Sequence, residues 1–324
     1  MNWLITGGAG FIGCNLIRDL LSGDKTNNIR VLDNLSVGSR EDLGEITHFK
    51  EISPENVTGS PDGVELVVGD IREENHCLKS SEGIDVIVHL AANTGVGPSV
   101  ENPRADMESN VTGIFNMLEA ARICGVGKFI FASSGAPVGE VEPPITENSP
   151  PKPVSPYGAS KLAGEGYCSA YYRTFGVKTV SLRFGNVYGI GSKHKNSVVA
   201  KFIKQALNGE VLEIYGDGNQ TRDFIYIDDL IQAIMLSAQT DVGGEVFQIA
   251  TYKETTVNEI ADLIKKILEE NTDLTVQVKY TESRLGDVMR NYSDISKARK
   301  ILGYEPIYPL EKGLSKTIQY FTGE

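Results

Sequence analysis

Short apolar runs recur along the first half of the chain, and polar or glycine-rich stretches separate them. Trp3 to Ile5, Ile29 to Leu32, Val64 to Val68, Asp85 to Leu90, Lys128 to Ala132 and Val177 to Phe184 read as buried strands. Between them lie longer segments with helical spacing. Phe11 to Leu21 is one and Tyr157 to Phe175 another. A third, Pro103 to Cys124, carries Met107, Val111, Ile114, Met117, Leu118 and Ala121 as its apolar positions. Ser36 to Ser60 reads as loop and short helix, and Pro137 to Pro156 as a proline-rich loop. Strands alternating with helices predict an α/β, Rossmann-type doubly wound parallel sheet covered on both faces. Ligands of such sheets sit at the carboxyl ends of the strands, and Gly7, Asp33, Asp70, Ala91, Ser134 and Asn186 all fall just after one.

The alternation fades beyond residue 187. Val198 to Leu207, Tyr226 to Ala238 and Val257 to Leu268 have helical spacing. Glu210 to Tyr215, Glu245 to Ile249 and a run near Val276 to Lys279 read as strands. This predicts a smaller C-terminal α+β substrate domain over about 188–224 and 251–324. The first domain would then take 1–187 and about 225–250.

The first 33 residues read strand, glycine turn, helix, strand, acid. Gly7 permits the turn out of the strand, Gly10 lets the backbone approach a pyrophosphate, and Gly13 lets the helix pack on the sheet. The helix start at Phe11 and Ile12 offers N–H groups to phosphate. Asp33 closes the second strand, about 20 residues past the last glycine, where a carboxylate accepts hydrogen bonds from a ribose diol. A carboxylate there repels a 2′-phosphate, and Asn34 follows it rather than an arginine. The expected cofactor is therefore NAD rather than NADP.

Composition narrows the partners. Of 324 residues 40% are hydrophobic and 23% charged, a globular composition. The net charge of −12 argues against nucleic acid or an anionic membrane surface. No signal peptide or spanning run is expected, and Cys14, Cys77, Cys124 and Cys168 are scattered without a CxxC. The reading is reduced thiols in a cytoplasmic protein, with no structural metal.

Tyr157 and Lys161 stand four residues apart, on one face of a helix. A phenol is a poor base at neutral pH. A nearby ammonium and a positive nicotinamide ring favour the phenolate, which then takes a proton from an alcohol. Alone, this pair is common on exposed helices. With the glycine turn, and with Ser134 at a strand end to hold the reacting oxygen, the catalytic reading prevails over the capping role a serine there also suits.

These motifs resemble the extended short-chain dehydrogenase/reductases, and within them the nucleotide-sugar epimerases and dehydratases. The resemblance covers essentially the whole chain. Its carriers are Thr6 to Gly13, Asp33-Asn34, Gly69 to Ile71, His89 to Ala92, Ser133-Ser134, Tyr157 to Lys161, Arg183 to Asn186, Arg222-Asp223 and Arg284 to Asp287. It implies that Phe11 and Ile12 touch the pyrophosphate, and that Asp33 and Asn34 hold the adenosine ribose. By the same resemblance Asp70 and Ile71 flank the adenine, Leu90, Ala91 and Ala92 line the cofactor, and Lys161 also bonds the nicotinamide ribose. Asn186, Arg222 and Arg284 would be ligands of the substrate's diphosphate and nucleotide, and arginine forks suit phosphate.

Likeness to the UDP-galactose 4-epimerase group implies C4 epimerisation of a UDP-sugar through a transient 4-keto sugar. Asn291 matches a position that sets room for the 2-substituent, and it is small, so N-acetylhexosamines are expected beside glucose and galactose. A 4,6-dehydratase or a UDP-glucuronate decarboxylase shares the scaffold. The dehydratases place Asp-Glu after the catalytic serine or threonine; here Gly135 and Ala136 follow Ser134. Glu140 or Glu142 remains a possible stand-in. Pro137-Val138-Gly139 replaces the family's usual Val-Tyr-Gly beside the sugar. A non-catalytic NAD-binding regulator is the other rival, disfavoured by Ser134, Tyr157 and Lys161. A homodimer is expected, paired through helices at about 103–124 and 156–174 on the stripe Met107, Val111, Ile114 and Leu118.

Overall fold

β-branched and aromatic runs that cannot face water on either side fold into one layer of strands. In the computed structural model, which describes residues 1–23, 26–283 and 289–323, these are β1 (Asn2–Thr6), β2 (Asn28–Asp33), β3 (Lys50–Ile52), β4 (Val64–Val68), β5 (Val86–His89), β6 (Lys128–Ser134) and β7 (Thr179–Phe184). With an edge strand, Glu245–Ile249, they make an eight-stranded sheet in the order Glu245–Ile249, β7, β6, β5, β1, β2, β4, β3. The pairs from β7 through to β3 are parallel. Chain order reverses at β1, with β2 on one side and β5 on the other, and crevices for ligands open at such switch points. The expected Rossmann-type sheet is present.

β3 escapes a periodicity reading. Lys50-Glu51-Ile52 is short and charged, the form an edge strand takes to avoid further pairing.

The helix expected over 103–124 is interrupted. Pro103–Met107 and Gly113–Cys124 are α-helical, and Glu108–Thr112 between them is one wider π-type turn. Asn110 supplies the reason: its amide donates to the Asn93 carbonyl at 2.9 Å and its oxygen accepts from the Asn93 N–H at 2.8 Å, drawing that turn toward the neighbouring loop.

Within the stripe expected to meet a second copy, Ile114 and Leu118 instead face the chain's own core. Ile114 and Leu118 are fully buried within one chain, with Met117 and Ala121. They line the face that packs on the sheet, so they cannot also form the outer face. Among the outward apolar side chains of this stretch are Met107, Phe115 and Ile123.

The chain divides into two compact units. The first comprises Met1–Glu140, Glu147–Phe184 and Ile231–Phe247; the second comprises Val141–Thr146, Gly185–Leu230 and Gln248–Glu324. Among its described residues the second unit has only small strand pairs: Asn186–Tyr188 with Phe224–Tyr226, Leu212–Tyr215 with Val278–Thr281, and Thr221–Arg222 with Thr255–Thr256. Several of these two- and three-residue strands, and the helices Ser296–Leu302 and Leu310–Thr322, are not foreseen by the apolar pattern.

Buried carboxylates tie the second unit together. Asp223 accepts from the N–H groups of Thr251, Tyr252 and Ser293 and from the Thr251 hydroxyl. Asp229 accepts from the N–H groups of Ile307 and Tyr308. Each replaces ladder bonds that these irregular segments lack.

Candidate active site

At the end of β1 the backbone turns through Gly7 at φ +68°, which a side chain resists. A Cβ there would also press the Ala91 backbone at 2.8 Å. Gly13 lies on the other flank, where a Cβ would meet the Gly8 backbone at 2.4 Å. The helix Phe11–Gly23 therefore starts directly against the turn. Gly10 closes it, its N–H on the Gly7 carbonyl at 3.1 Å. The result is a bare backbone cradle at a helix N-terminus, the form that accepts a pyrophosphate.

Asp33 is buried at the end of β2. One oxygen accepts from the Ala9 N–H at 3.0 Å and the other from the Leu35 N–H at 2.9 Å. Burial pushes its carboxyl up, opposed by those two N–H groups. It thus braces the glycine turn and keeps further lone pairs for hydroxyl donors. Asn34 donates to Asp70 at 3.3 Å. Asp70 also takes a forked pair of bonds from Arg72, which holds its carboxyl below the usual range. Ile71 adjoins it, but its side chain belongs to the hydrophobic core, so only its backbone is left for a ligand. Leu90, Ala91 and Ala92 follow β5 and are half-buried. The Ala91 N–H bonds the Thr6 hydroxyl, which also meets the His89 ring at 2.8 Å. Burial, then the Lys161 charge, push the His89 imidazole down to about 3 and keep it neutral. Turn, brace and acid fit an adenine dinucleotide without a 2′-phosphate.

The trio expected to be catalytic, Ser134, Tyr157 and Lys161, comes together in the same unit. Ser155 caps the helix Pro156–Phe175, accepting from the Gly158 N–H, and Pro156 supplies its first residue, so Tyr157 and Lys161 occupy the opening turns. Gly164 lets this helix lie close to β6, since a Cβ there would strike the Phe131 ring at 2.5 Å. Lys161 is buried, donates to the Ala132 carbonyl at 2.9 Å and stands 5.8 Å from the Tyr157 ring. Ser134, at the end of β6, hydrogen-bonds Tyr157.

Burial pushes the Tyr157 phenol up to about 12; the Ser134 bond opposes this and the Asp106 charge adds to it. The Lys161 ammonium points to the Ala132 carbonyl. Burial takes Lys161 itself down to about 8, against the charges of Asp106 and Glu165.

Two groups beside the trio went unnoticed in the sequence. Asn110 donates to Asp106 at 2.9 Å and contacts the Ser160 hydroxyl at 3.1 Å, besides holding Asn93. Glu165 accepts from the Ser133 hydroxyl at 2.6 Å and from both Nε and Nη2 of Arg183. Asn110 and Glu165 sit on recognisable helices, but only the wide turn and the third dimension bring them to the site.

In the second unit Asn186 and Arg222 are neighbours. Asn186 pairs with Phe224, and its N–H bonds the Asp223 carbonyl at 2.8 Å. The segment bearing Asn291 runs alongside: the Met289 carbonyl accepts from the Thr221 N–H, and the Ser293 N–H reaches Asp223. Arg284 lies outside the described residues. Glu142, the candidate stand-in acid, is held by Arg290 at 2.6 Å. No described helix is long and apolar enough to cross a membrane, and no cluster of possible metal ligands occurs among the described residues.

The chain is similar to known proteins along its whole length. A putative UDP-glucose 4-epimerase of Methanocaldococcus jannaschii is 37% identical over 98% of this chain and 97% of its own. The solved UDP-glucose 4-epimerase of Thermotoga maritima, with UDP-glucose, superposes with a TM-score of 0.88 at 35% identity, covering 100% of this chain and 99% of that one. A dTDP-glucose 4,6-dehydratase from Streptomyces venezuelae, with NAD bound, reaches 0.87 at 30% identity over 100% of this chain and 98% of its own. Residues 3–250 match the NAD dependent epimerase/dehydratase family, and the chain belongs to that family.

Proposed function

We propose that this enzyme interconverts UDP-hexoses at C4. Phe11, Ile12, Asp33, Asn34, Asp70, Ile71 and Leu90 to Ala92 would hold NAD along the ends of β1, β2, β4 and β5. NAD, when bound, supplies the acceptor for the C4 hydride and a positive ring charge beside Tyr157. Tyr157 takes the proton of the sugar 4-hydroxyl and later returns it, while Ser134 donates to the same oxygen and steadies it. Lys161 holds positive charge behind the phenol and reaches the nicotinamide ribose. Asn186, Arg222 and Arg284 would grip the UDP moiety, making the second unit the nucleotide-sugar domain.

What separates this reading from the dehydratase and decarboxylase is the pair after Ser134. Gly135 and Ala136 exchange no proton, and Glu142 is committed to Arg290. Elimination across C5 and C6 needs an acid and a base beside the ketone, and neither stands at that station. The sugar's route onward is hydride return to its other face. The small Asn291 side chain leaves room for a 2-acetamido group, so UDP-N-acetylhexosamines join UDP-glucose and UDP-galactose as substrates.

The deciding experiment offers the purified enzyme a panel of UDP-hexoses and UDP-N-acetylhexosamines and identifies products by NMR. Pairs of C4 epimers are expected. Steady formation of a 4-keto-6-deoxy sugar, or release of CO₂ from UDP-glucuronate, at a rate matching epimerisation would overturn the assignment.

Self-association is also proposed. Phe115 meets Tyr167 edge-on at 5.7 Å, and both side chains are exposed, as are Met107 and Ile123. This outer face of the two helices suits a second copy. Light scattering at micromolar concentration should report a dimer, and a monomer there would exclude it.

A further inference from the structure

Lys161 is an ammonium ion 3% exposed to solvent, an expensive placement without an opposite charge nearby. The charged and titratable groups around it come from every element packed on its helix. His89 on β5 is buried and neutral. β6 contributes the Ala132 carbonyl and the face of Phe131, 5.0 Å away. Tyr157 and Glu165 flank Lys161 on its own helix, and Arg183 on β7 lies behind Glu165. Asp106 comes from the helix Pro103–Met107.

The two carboxylates differ in what holds them. Both oxygens of Glu165 are engaged by the Arg183 guanidinium, a buried pair whose charges cancel locally. Asp106 is 1% exposed, yet its hydrogen bond comes from the neutral amide of Asn110 at 2.9 Å. The same Asn110 nitrogen lies 3.1 Å from the Ser160 hydroxyl, and Ser160 immediately precedes Lys161. Ser160 in turn donates to the Tyr157 carbonyl at 3.0 Å. A buried anion without a cationic partner and a buried cation without an anionic one thus face the same small volume. The Asp106 charge acts on both Lys161 and Tyr157.

We propose that Asp106 is the counter-charge of Lys161, a positioning residue that keeps the lysine an ammonium ion and, through Asn110 and Ser160, fixes the first turns of the catalytic helix. The inference rests on the role assigned to Tyr157 and Lys161 in the proposed epimerase. Its consequence is that the cation behind the phenol is maintained from a different helix, across the wide turn Glu108–Thr112.

The test is an Asp106→Asn variant of the full chain, labelled with ¹³Cε-lysine, in which the Lys161 resonance is titrated by NMR. Asparagine keeps an oxygen for Asn110 and removes only the charge. The Lys161 midpoint should fall by about one pH unit, a tenfold weaker hold on its proton. The alkaline limb of kcat should move down with it while KM changes little. An unshifted Lys161 midpoint overturns the proposal, as does a loss of kcat that is uniform across pH, which is what a purely structural role gives. The titration needs no turnover, so failure of the epimerase reading itself would leave its outcome legible.

Should Asp106→Asn not fold, Lys161→Met provides the reciprocal measurement. Without its cation Asp106 becomes a lone buried anion. The acid limb of the urea midpoint should then begin at higher pH in Lys161→Met than in the Lys161→Met/Asp106→Asn double variant. Superimposable acid limbs would overturn the proposal equally.

Discussion

The two units solve the burial of backbone polar groups in different ways. In the first, parallel ladders carry the pairing, and side chains are left over for chemistry: Ser134, Tyr157 and Lys161 stand at strand and helix ends already held by the sheet. In the second, strand pairs of two to four residues carry little, and carboxylates such as Asp223 and Asp229 do the joining. The proposed reaction chemistry thus rests on a frame fixed by backbone. The proposed grip on the nucleotide sugar rests on a frame fixed by side chains, which single substitutions alter more easily.

The largest expected effect lies in the first unit and leaves its frame intact. Tyr157→Phe removes the proposed proton acceptor and its bond to Ser134 but keeps the ring, so turnover should fall by about 10²–10⁴-fold while purified protein keeps its NAD. Activity within about tenfold of the parent would mean that another base works.

Asp223→Ala attacks the frame of the second unit. It strands three N–H groups, that of Ser293 buried and the other two partly so, and should cost about 3 kcal/mol of unfolding free energy, read from urea midpoints. NAD content should survive in the protein that remains folded, because the glycine turn and Asp33 belong to the first unit. Loss of NAD in step with stability would erase the contrast between the units.

Asp33→Ala is its counterpart in the first unit. The turn loses its brace and the ribose its acceptor, so NAD should bind about tenfold more weakly and the gap to NADP should narrow. Titration of both cofactors by calorimetry measures this, and an unchanged gap contradicts the reading of β2.

His89 gives the most gradual signal, spread over several pH units. Its imidazole titrates near 3 in the folded chain, against an ordinary value of 6.5. Between those values the unfolded chain binds a proton that the folded one refuses. Stability is therefore full above about pH 6.5 and falls as pH drops toward 3, by at most about 1.4 kcal/mol per unit. In His89→Asn this part of the acid limb should flatten. An identical limb in variant and parent would show that the buried ring is not its source.

Legibility in the sequence followed the same division. The glycine turn, Asp33, Ser134, Tyr157 and Lys161 announce themselves because each belongs to a local pattern: a strand end, a helix start, a four-residue spacing. Residues whose roles depend on distant partners do not. Asn110 sits in an ordinary helical stretch until its side chain reaches Asn93 and Ser160. Asp223 reads as one acid among many until it gathers Thr251, Tyr252 and Ser293. The apolar stripe through Ile114 and Leu118 was legible as a stripe, but periodicity alone does not say whether it faces the chain's own sheet or another molecule. The Tyr157 phenol shows a related limit, since spacing reveals a nearby charge and not the burial that pushes the phenol up.

The chain passes from one unit to the other after Glu140, Thr146, Phe184, Leu230 and Phe247. Neither unit is a continuous stretch of sequence, so no single cut or splice separates them. One crossover with a related gene cannot exchange the proposed sugar-recognising unit alone: wherever it falls, at least one unit becomes a hybrid of two parents. Substrate choice on this scaffold is then altered by substitution in place, with the proposed specificity position Asn291 as one candidate, rather than by trading modules. For the engineer, a saturation library around the Thr221–Asp223 and Met289–Ser293 segments is a better starting point than a chimera.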